Sequence, residues 1–458
     1  MTGKNILDGV NPKVVAALNG TPVRMLLKAS TVPSGRTAVS VILGDSDGMV
    51  HLILPGNCLL DIVAVSKSMD RKLAMIEDSS ASAILDKLGL DDIPAIPGIL
   101  DMPVVVDSAI PGMQVVCITS GKDGAMIGMD QGNFNALLTD VKQATFSVPM
   151  AEITSRINGG DDLTIINAAV VKFTTRQIQK TLENTLDVPP LSETTRKLIS
   201  LSSDPDAGGR ELASIVEADP SLSAQVVSWA SSSFYSAPGS VKSVHDAVNR
   251  VLGFDLVMNL SMGLTMGKAL QLPTDQPNGY TPYWRQAMWM ACAMDALVKA
   301  IPTTHRPSQG LAYLSGLLHN FGYLVLAHVF PQRFSLVCRY TEVNPNIDSS
   351  IIDRFILEVS REQLGSKLMQ MWNMPEEIST AVRHQKKDNY SGDNFAYANL
   401  LYIARNLLCE YGAITGTSHG ISDELYARLH LDPIDASLAI KELMEEEEEI
   451  TNMTELLK

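Results

Sequence analysis

His319 and Asn320 stand side by side in the apolar stretch Leu311–Leu326, LAYLSGLLHNFGYLVL, with Gly322 two residues on. An imidazole at the end of a buried helix can ligate a metal, take a proton or simply complete a hydrogen-bond network, depending on what faces it. A carboxylate at the next position would supply anionic oxygen for a divalent cation. Asn320 supplies a neutral amide. A second residue with chemical capacity is Arg36, which opens the strand-like run Arg36-Thr37-Ala38-Val39. His328 lies nine residues beyond His319, on the opposite side if one helix continued. His51, His245, His305, His419 and His430 are scattered and read as surface or core residues. Cys58, Cys117, Cys292, Cys338 and Cys409 are far apart with no CxxC pair, the pattern of reduced, buried thiols.

The elements that must position these groups follow from periodicity. Leu311, Leu314, Leu317, Leu318 and Phe321 share one helical face, which predicts a single buried helix across the stretch. Upstream, Thr37–Leu43 and Met49–Leu54 read as strands joined by the turn Gly44-Asp45-Ser46-Asp47-Gly48. Pro103–Val106, Gln114–Thr119 and Ala125–Met129 are further strands, and Ser79–Leu88 is a short helix stopped by Gly89. Met150–Ile157 and Arg176–Leu186 read as helices of a connector. Asp219-Pro220 pairs an N-cap with a first-turn proline, and Leu222, Val226 and Trp229 make one apolar stripe behind it. Ser243 with Asp246 caps the next helix, which Gly253 ends. Trp284 and Trp372 have apolar neighbours and are expected in the core. Phe395–Leu408, Asp423–Leu429 and Ala436–Met444 continue the helical pattern, and Glu445–Glu449 is a solvated helix face or frayed tail.

Composition limits the function. The 458 residues are too many for one ordinary core, and 45% hydrophobic with 19% charged content describes a folded chain. A net charge of −15 argues against general nucleic-acid binding. The helix–Gly–helix around Gly253 could pass for a DNA reader, but Asp255–Met266 contains no Lys or Arg to contact phosphate or bases. DNA is therefore not an expected partner. No stretch reaches about 18 uninterrupted apolar residues, so no membrane span is expected, and the N-terminus lacks the order of a signal peptide. The expected location is the cytoplasm.

Two resemblances extend this reading. RTAVSVILGDSDGMVHLILPG at Arg36–Gly56, the Pro94–Gly98 turn before MPVVVD, and VVCITSGKDGAMIGM at Val115–Met129 resemble the YbaK/prolyl-tRNA-editing aminoacyl-tRNA deacylases. That resemblance implies a pocket around Arg36, Gly98 and Gly121, with Arg36 where the family carries a functional Lys. Arg brings a broad, permanently charged plane in place of a compact ammonium. The run VPPLSETTRKLISLSSDPDAGGRELASIVEADPSLSAQVVSWASSSFY, with VKSVHDAVNRVLGFDLVMNLSMGL, is similar to HDOD domains, HD-related helical output domains of bacterial signalling proteins.

HD-type phosphohydrolases hold a metal with converging His and Asp side chains. Carried onto this chain, the resemblance puts Gln286, His319, Asn320, Arg361, His384, Gln385 and Arg405 at those positions. Two histidines survive and no carboxylate does, so neither a bound catalytic metal nor any other cofactor is expected. These seven residues are expected either to form a degenerate pocket for a nucleotide-like anion or to be a satisfied structural network.

The expected fold is α+β and multidomain: a mixed α/β domain at 1–148, a helical connector at 149–186, an all-α HDOD domain at 187–390 and a helical extension at 391–458 with an acidic tail. The expected function is non-catalytic signalling or regulation through a protein partner or small nucleotide-like ligand, with homo-oligomerisation a further option. The alternatives are aminoacyl-tRNA deacylation, with tRNA as partner, and, last, metal-dependent phosphohydrolysis.

Overall fold

The computed structural model describes residues 10–23, 25–122, 124–155, 161–173, 190–232, 235, 241–455 and 457. Its contacts divide the chain into two units. The first contains Met1–Asn158, Pro277–Gly279 and Leu336–Phe355; the second contains Gly159–Gln276, Tyr280–Ser335 and Ile356–Lys458. The expectation of a mixed α/β N-terminal region and a helical C-terminal region holds. The helix expected at Arg176–Leu186 falls outside the described residues.

The first unit is built on strands β1 Met25–Lys28, β2 Ala38–Asp45, β3 Gly48–Pro55, β4 Cys58–Leu60, β5 Ala74–Met75, β6 Val104–Asp107, β7 Val115–Thr119, β8 Ala125–Asp130, β9 Lys142–Ala144 and β10 Ser147–Pro149. Helices α1 Pro12–Ala17, α2 Ile62–Met69, α3 Asp78–Leu88, α4 Gln131–Ala136 and α5 Met150–Ser155 accompany them. The five-stranded sheet runs β5-β2-β3-β6-β9, antiparallel through β5-β2-β3 and parallel through β3-β6-β9. A three-stranded sheet runs β1-β8-β7. The alternation of β2 sends Ala38 and Ile42 to the core, where they meet Ile53 and Val106 from the same sheet and Val116, Ile118 and Ile127 from the other. Gly89 ends α3 in the left-handed region at φ 65°, as its position suggested.

Two buried polar side chains from Leu336–Phe355 complete this unit. Asn344 donates through Nδ2 to the Leu60 carbonyl at 3.1 Å and accepts the Leu60 N–H at 2.8 Å, acting as a one-residue strand partner for β4. The Tyr340 hydroxyl donates to the Asp61 carboxylate, which caps the first turn of α2.

The second unit contains α6 Asp162–Phe173, α7 Glu193–Ser202, α8 Gly209–Glu217, α9 Pro220–Ala230, α10 Val244–Asp246 with a π-turn to Val251, and α11 Gly253–Gly267. It continues with α12 Tyr283–Ala300, α13 Gln309–Leu318, α14 Phe321–Val329, α15 Pro331–Val343, α16 Ser349–Leu357, α17 Arg361–Met371 and α18 Glu376–His384. Helices α19 Phe395–Glu410, α20 Asp423–Arg428, α21 Pro433–Glu445 and α22 Glu447–Glu455 close the chain. Most of α15 and α16 lies in Leu336–Phe355, which belongs to the first unit.

Local signals placed these helices well. Asp219 accepts the amides of Ser221 and Leu222 at the head of α9, and Leu222, Val226 and Trp229 are fully buried. Ser243 accepts the Asp246 amide at 3.1 Å, while the Asp246 carboxylate accepts that of Lys242 at 3.0 Å. Trp284 and Trp372 are buried at 6% and 7% exposure. The acidic run is not a frayed tail. Glu447, Glu448 and Glu449 form the first turn of α22, where the helix dipole favours negative charge, and Ile450 and Met453 behind them are buried.

The single helix expected across Leu311–Leu326 is instead two, α13 and α14, broken at Asn320 (φ −107°, ψ 18°). The apolar pattern runs through the break because both pieces are buried. What breaks the helix is distant in sequence: a methyl at Gly322 would lie 1.7 Å from the Arg361 carbonyl oxygen, and one at Gly365 would lie 3.0 Å from the Gly322 nitrogen. The chain at α14 and α17 thus crosses backbone to backbone. Gln309–Val329 is long and apolar enough to span a membrane, but 83% of its apolar window is buried inside the protein.

This crossing generates a prediction. Gly322→Ala forces α14 and α17 apart and should destabilise the protein by about 1–3 kcal/mol or more. Gly420→Ala, with nothing within 4 Å of the added methyl, should stay within about 0.5 kcal/mol. Urea denaturation followed by helical circular dichroism compares the two; equal midpoints would refute the close crossing.

Candidate functional site

The C-terminal end of α13 leaves carbonyl groups without helical partners, as every helix end does. Here two side chains bond carbonyls at that end, and one of these carbonyls, Gly316, also accepts the His319 N–H at 3.4 Å. The His319 ring nitrogen Nδ1 lies 2.7 Å from the Gly316 carbonyl. A carbonyl can only accept, so the neutral ring carries its proton on Nδ1. Gln385 Nε2 donates to the His319 carbonyl at 2.7 Å and to the Val382 carbonyl at 3.0 Å, joining the ends of α13 and α18. Next door, Asn320 Nδ2 donates to Gln286 Oε1 at 3.1 Å, tying the break to α12.

The remaining residues of the expected pocket make further contacts of their own. The His384 ring stacks on Tyr390, with centroids 4.1 Å apart. The Arg361 guanidinium lies 5.5 Å from the centre of the Tyr323 ring, and Arg405 reaches the Thr417 hydroxyl at 3.4 Å. The charges felt by the two histidines also differ. Those acting on His319 are Arg405, Lys386 and Glu362; those acting on His384 are Lys387, Arg383 and Asp162.

Glu362 was overlooked in the sequence, where the positions considered held no carboxylate. It is buried at 4% exposure, and its partner is Lys386 at 3.0 Å. The signal for this pair was present: an acid in the first turn behind Ser360, and a Lys just after the α18 end. Asp162, at the head of α6, was also missed. It pairs with Arg383 and accepts Gln363 Nε2 at 2.8 Å, while Gln363 Oε1 accepts the Ser360 amide in a capping box on α17. Burial works against the Asp162 charge, yet hydrogen bonds from Arg383 and Gln363 prevail and its carboxyl titrates below the usual range.

This donor set does not fit a catalytic metal. The Nδ1 bond to a carbonyl leaves His319 Nε2 able to ligate, but Glu362 is neutralised by Lys386 and the amides of Asn320 and Gln385 are occupied, so that nitrogen has no anionic co-ligand beside it. Among the described residues no three His, Cys, Asp or Glu side chains gather as a metal site.

In the first unit, Arg36 is exposed at the end of the turn Ser34–Arg36 that leads into β2. It lies close enough to oppose the upward shift that burial imposes on the Cys117 thiol. Gly121 is buried with φ 77°, and a methyl there would lie 2.4 Å from Leu90 Cδ2 and 3.0 Å from Val14 Cγ2, so its role is close packing. Gly98 is an exposed turn residue at φ 80°.

With this geometry in hand, the comparisons place the chain. Residues 188–388 match the HDOD domain. A crystal structure of a candidate signal transduction protein from Marinobacter aquaeolei VT8 is 41% identical, covers 97% of this chain and 99% of its own, and superposes with a TM-score of 0.90. An uncharacterised protein of Treponema pallidum (strain Nichols) is 24% identical over 219 residues, 47% of this chain; the match spans 41% of that relative's length. A candidate trans-editing enzyme for prolyl tRNA synthetase aligns with 30% of this chain and 98% of its own at 16% identity and a TM-score of 0.25. Residues 188–388 of the chain are an HDOD domain, and an α/β unit lies ahead of it in the sequence.

Burial holds the His319 pKa down to about 4, Arg405 and Lys386 push the same way, and the Gly316 hydrogen bond and Glu362 oppose them. An unfolded histidine titrates near 6.5. Between these values the unfolded chain binds the extra proton, so stability is complete above about pH 6.5 and falls as pH drops toward 4, by on the order of 3 kcal/mol for this one group. His319→Asn should flatten that part of the profile. Denaturation midpoints measured from pH 7 to 4.5 that match in both proteins would rule His319 out as the cause.

Proposed function

We propose that this chain is a non-catalytic regulatory protein of a signalling pathway, whose helical unit serves as a rigid platform for a protein partner. The observation that carries this reading is the use made of the former ligand positions. His319 and Gln385 cap the end of α13, Asn320 bonds Gln286, and the one carboxylate nearby is paired with Lys386. Buried groups so paired hold a fold in place. The same pairing disfavours a nucleotide-like anion as ligand, because Lys386, Arg361 and Arg405 already interact with Glu362, Tyr323 and Thr417. The similar protein from Marinobacter aquaeolei VT8, named as a candidate in signal transduction, supports the pathway assignment.

The test is direct. Full-length protein dialysed against Mn²⁺ should retain less than about a tenth of an ion per chain after chelation. It should not turn over bis-p-nitrophenyl phosphate or mischarged aminoacyl-tRNA. Retained metal with phosphodiester turnover lost in His319→Ala would make it a phosphohydrolase. Steady deacylation lost in Arg36→Ala would make it an editing enzyme.

A further inference from the structure

The penultimate helix, α21, presents a stripe that nothing described above uses. Its inner face is conventional: Ala436, Ile440 and Leu443 are buried within the helical unit. On its outer face Ile434 is 76% exposed and Leu438 is 52% exposed, one turn apart and therefore adjacent. Isolated exposed apolar residues are common on protein surfaces; two at neighbouring positions of one stripe are less so. The stripe is also well ordered at its start. Pro433 opens the helix, and Asp432 accepts the amides of Ile434 and Asp435.

The surroundings state what could cover it. Continuing along the same face, the next turn carries Lys441 and exposed Glu442, and the turn after that exposed Glu445. Asp435, Glu446 and Glu448 are exposed nearby. Lys441, whose ammonium lies over the Tyr411 ring 5.7 Å from the centroid, is one positive charge against these five exposed carboxylates. The surface is thus two apolar side chains followed by an acidic end.

Anionic lipid or nucleic acid would be repelled by the acidic end, and a second copy of α21 packed in parallel would oppose acid with acid. An antiparallel second copy would leave the acidic ends without counter-charge, whereas a basic partner helix pairs with them.

We infer that the outer face of α21 docks an amphipathic helix of a partner protein, one that sets two or more apolar side chains against Ile434 and Leu438 and flanks them with Lys or Arg facing Glu442 and Glu445. This deepens the partner reading above by naming the partner's chemistry. Metal-dependent turnover would sink that reading without touching this surface, whereas a failed peptide titration would sink only the surface.

The experiment uses the full-length chain and a labelled synthetic 18-residue helix of Leu and Lys at amphipathic spacing, with a Leu/Glu helix as counterpart. Fluorescence anisotropy should show binding of the Leu/Lys helix only. The Ile434→Ser/Leu438→Ser pair and the Glu442→Lys/Glu445→Lys pair should each weaken it at least tenfold. All four positions are exposed, so circular dichroism should show both variants folded. Three results would overturn the inference. They are no binding, binding weakened by the charge pair but not the apolar pair, and concentration-dependent self-association abolished by Ile434→Ser/Leu438→Ser, which would make a second copy the occupant.

Discussion

Backbone-to-backbone contact at Gly322 and Gly365 is the constraint on which the centre of the helical unit depends. With no side chain at either position, the chain around α14 can pass against the carbonyl of Arg361. A similar approach occurs at Gly316, where an added methyl would lie 2.6 Å from the Met290 carbonyl oxygen. So close a crossing leaves little tolerance in where α13 may end. The break at Asn320 follows, and with it the carbonyls that His319 and Gln385 serve. The polar residues at the centre are therefore consequences of packing before they are candidates for chemistry.

This bears on the kind of side chain found at those positions. Asn320 and Gln385 carry amides, which donate and accept without titrating. An amide at the end of a buried helix bonds a carbonyl at any pH. A carboxylate in the same place would need a cation beside it to offset its desolvation. Of the two cations that act on His319, Arg405 and Lys386, the ammonium of Lys386 is already matched to Glu362.

Much of the fold was legible because its signals were local. The β2–β3 hairpin followed from alternation and a Gly-Asp turn, α9 from Asp219-Pro220, and the end of α3 from Gly89. What escaped was decided by distant residues. Strands β4 and β10 are three residues each and pair with each other, with Asn344 bonding β4 at Leu60. The helix break at Asn320 is set by Arg361, and the Glu362–Lys386 pair joins residues from two helices. For the candidate site, residue identities were readable, but their orientations were not. His319 and His384 look alike in the sequence, yet one caps a helix and the other stacks on Tyr390. No periodicity encodes that difference.

The Asn344 side chain, which stands in as a strand partner for Leu60, also bears on how the protein is made. The first unit includes Leu336–Phe355, nearly two hundred residues beyond its last strand. A ribosome adding roughly 5–20 residues per second needs on the order of ten to forty seconds to reach that segment after finishing the sheet. Through that interval the β4 edge lacks its side-chain partner and the site of Tyr340 on Asp61 is empty. The first unit to emerge is thus the one that must wait, and its completion is timed by synthesis of the second.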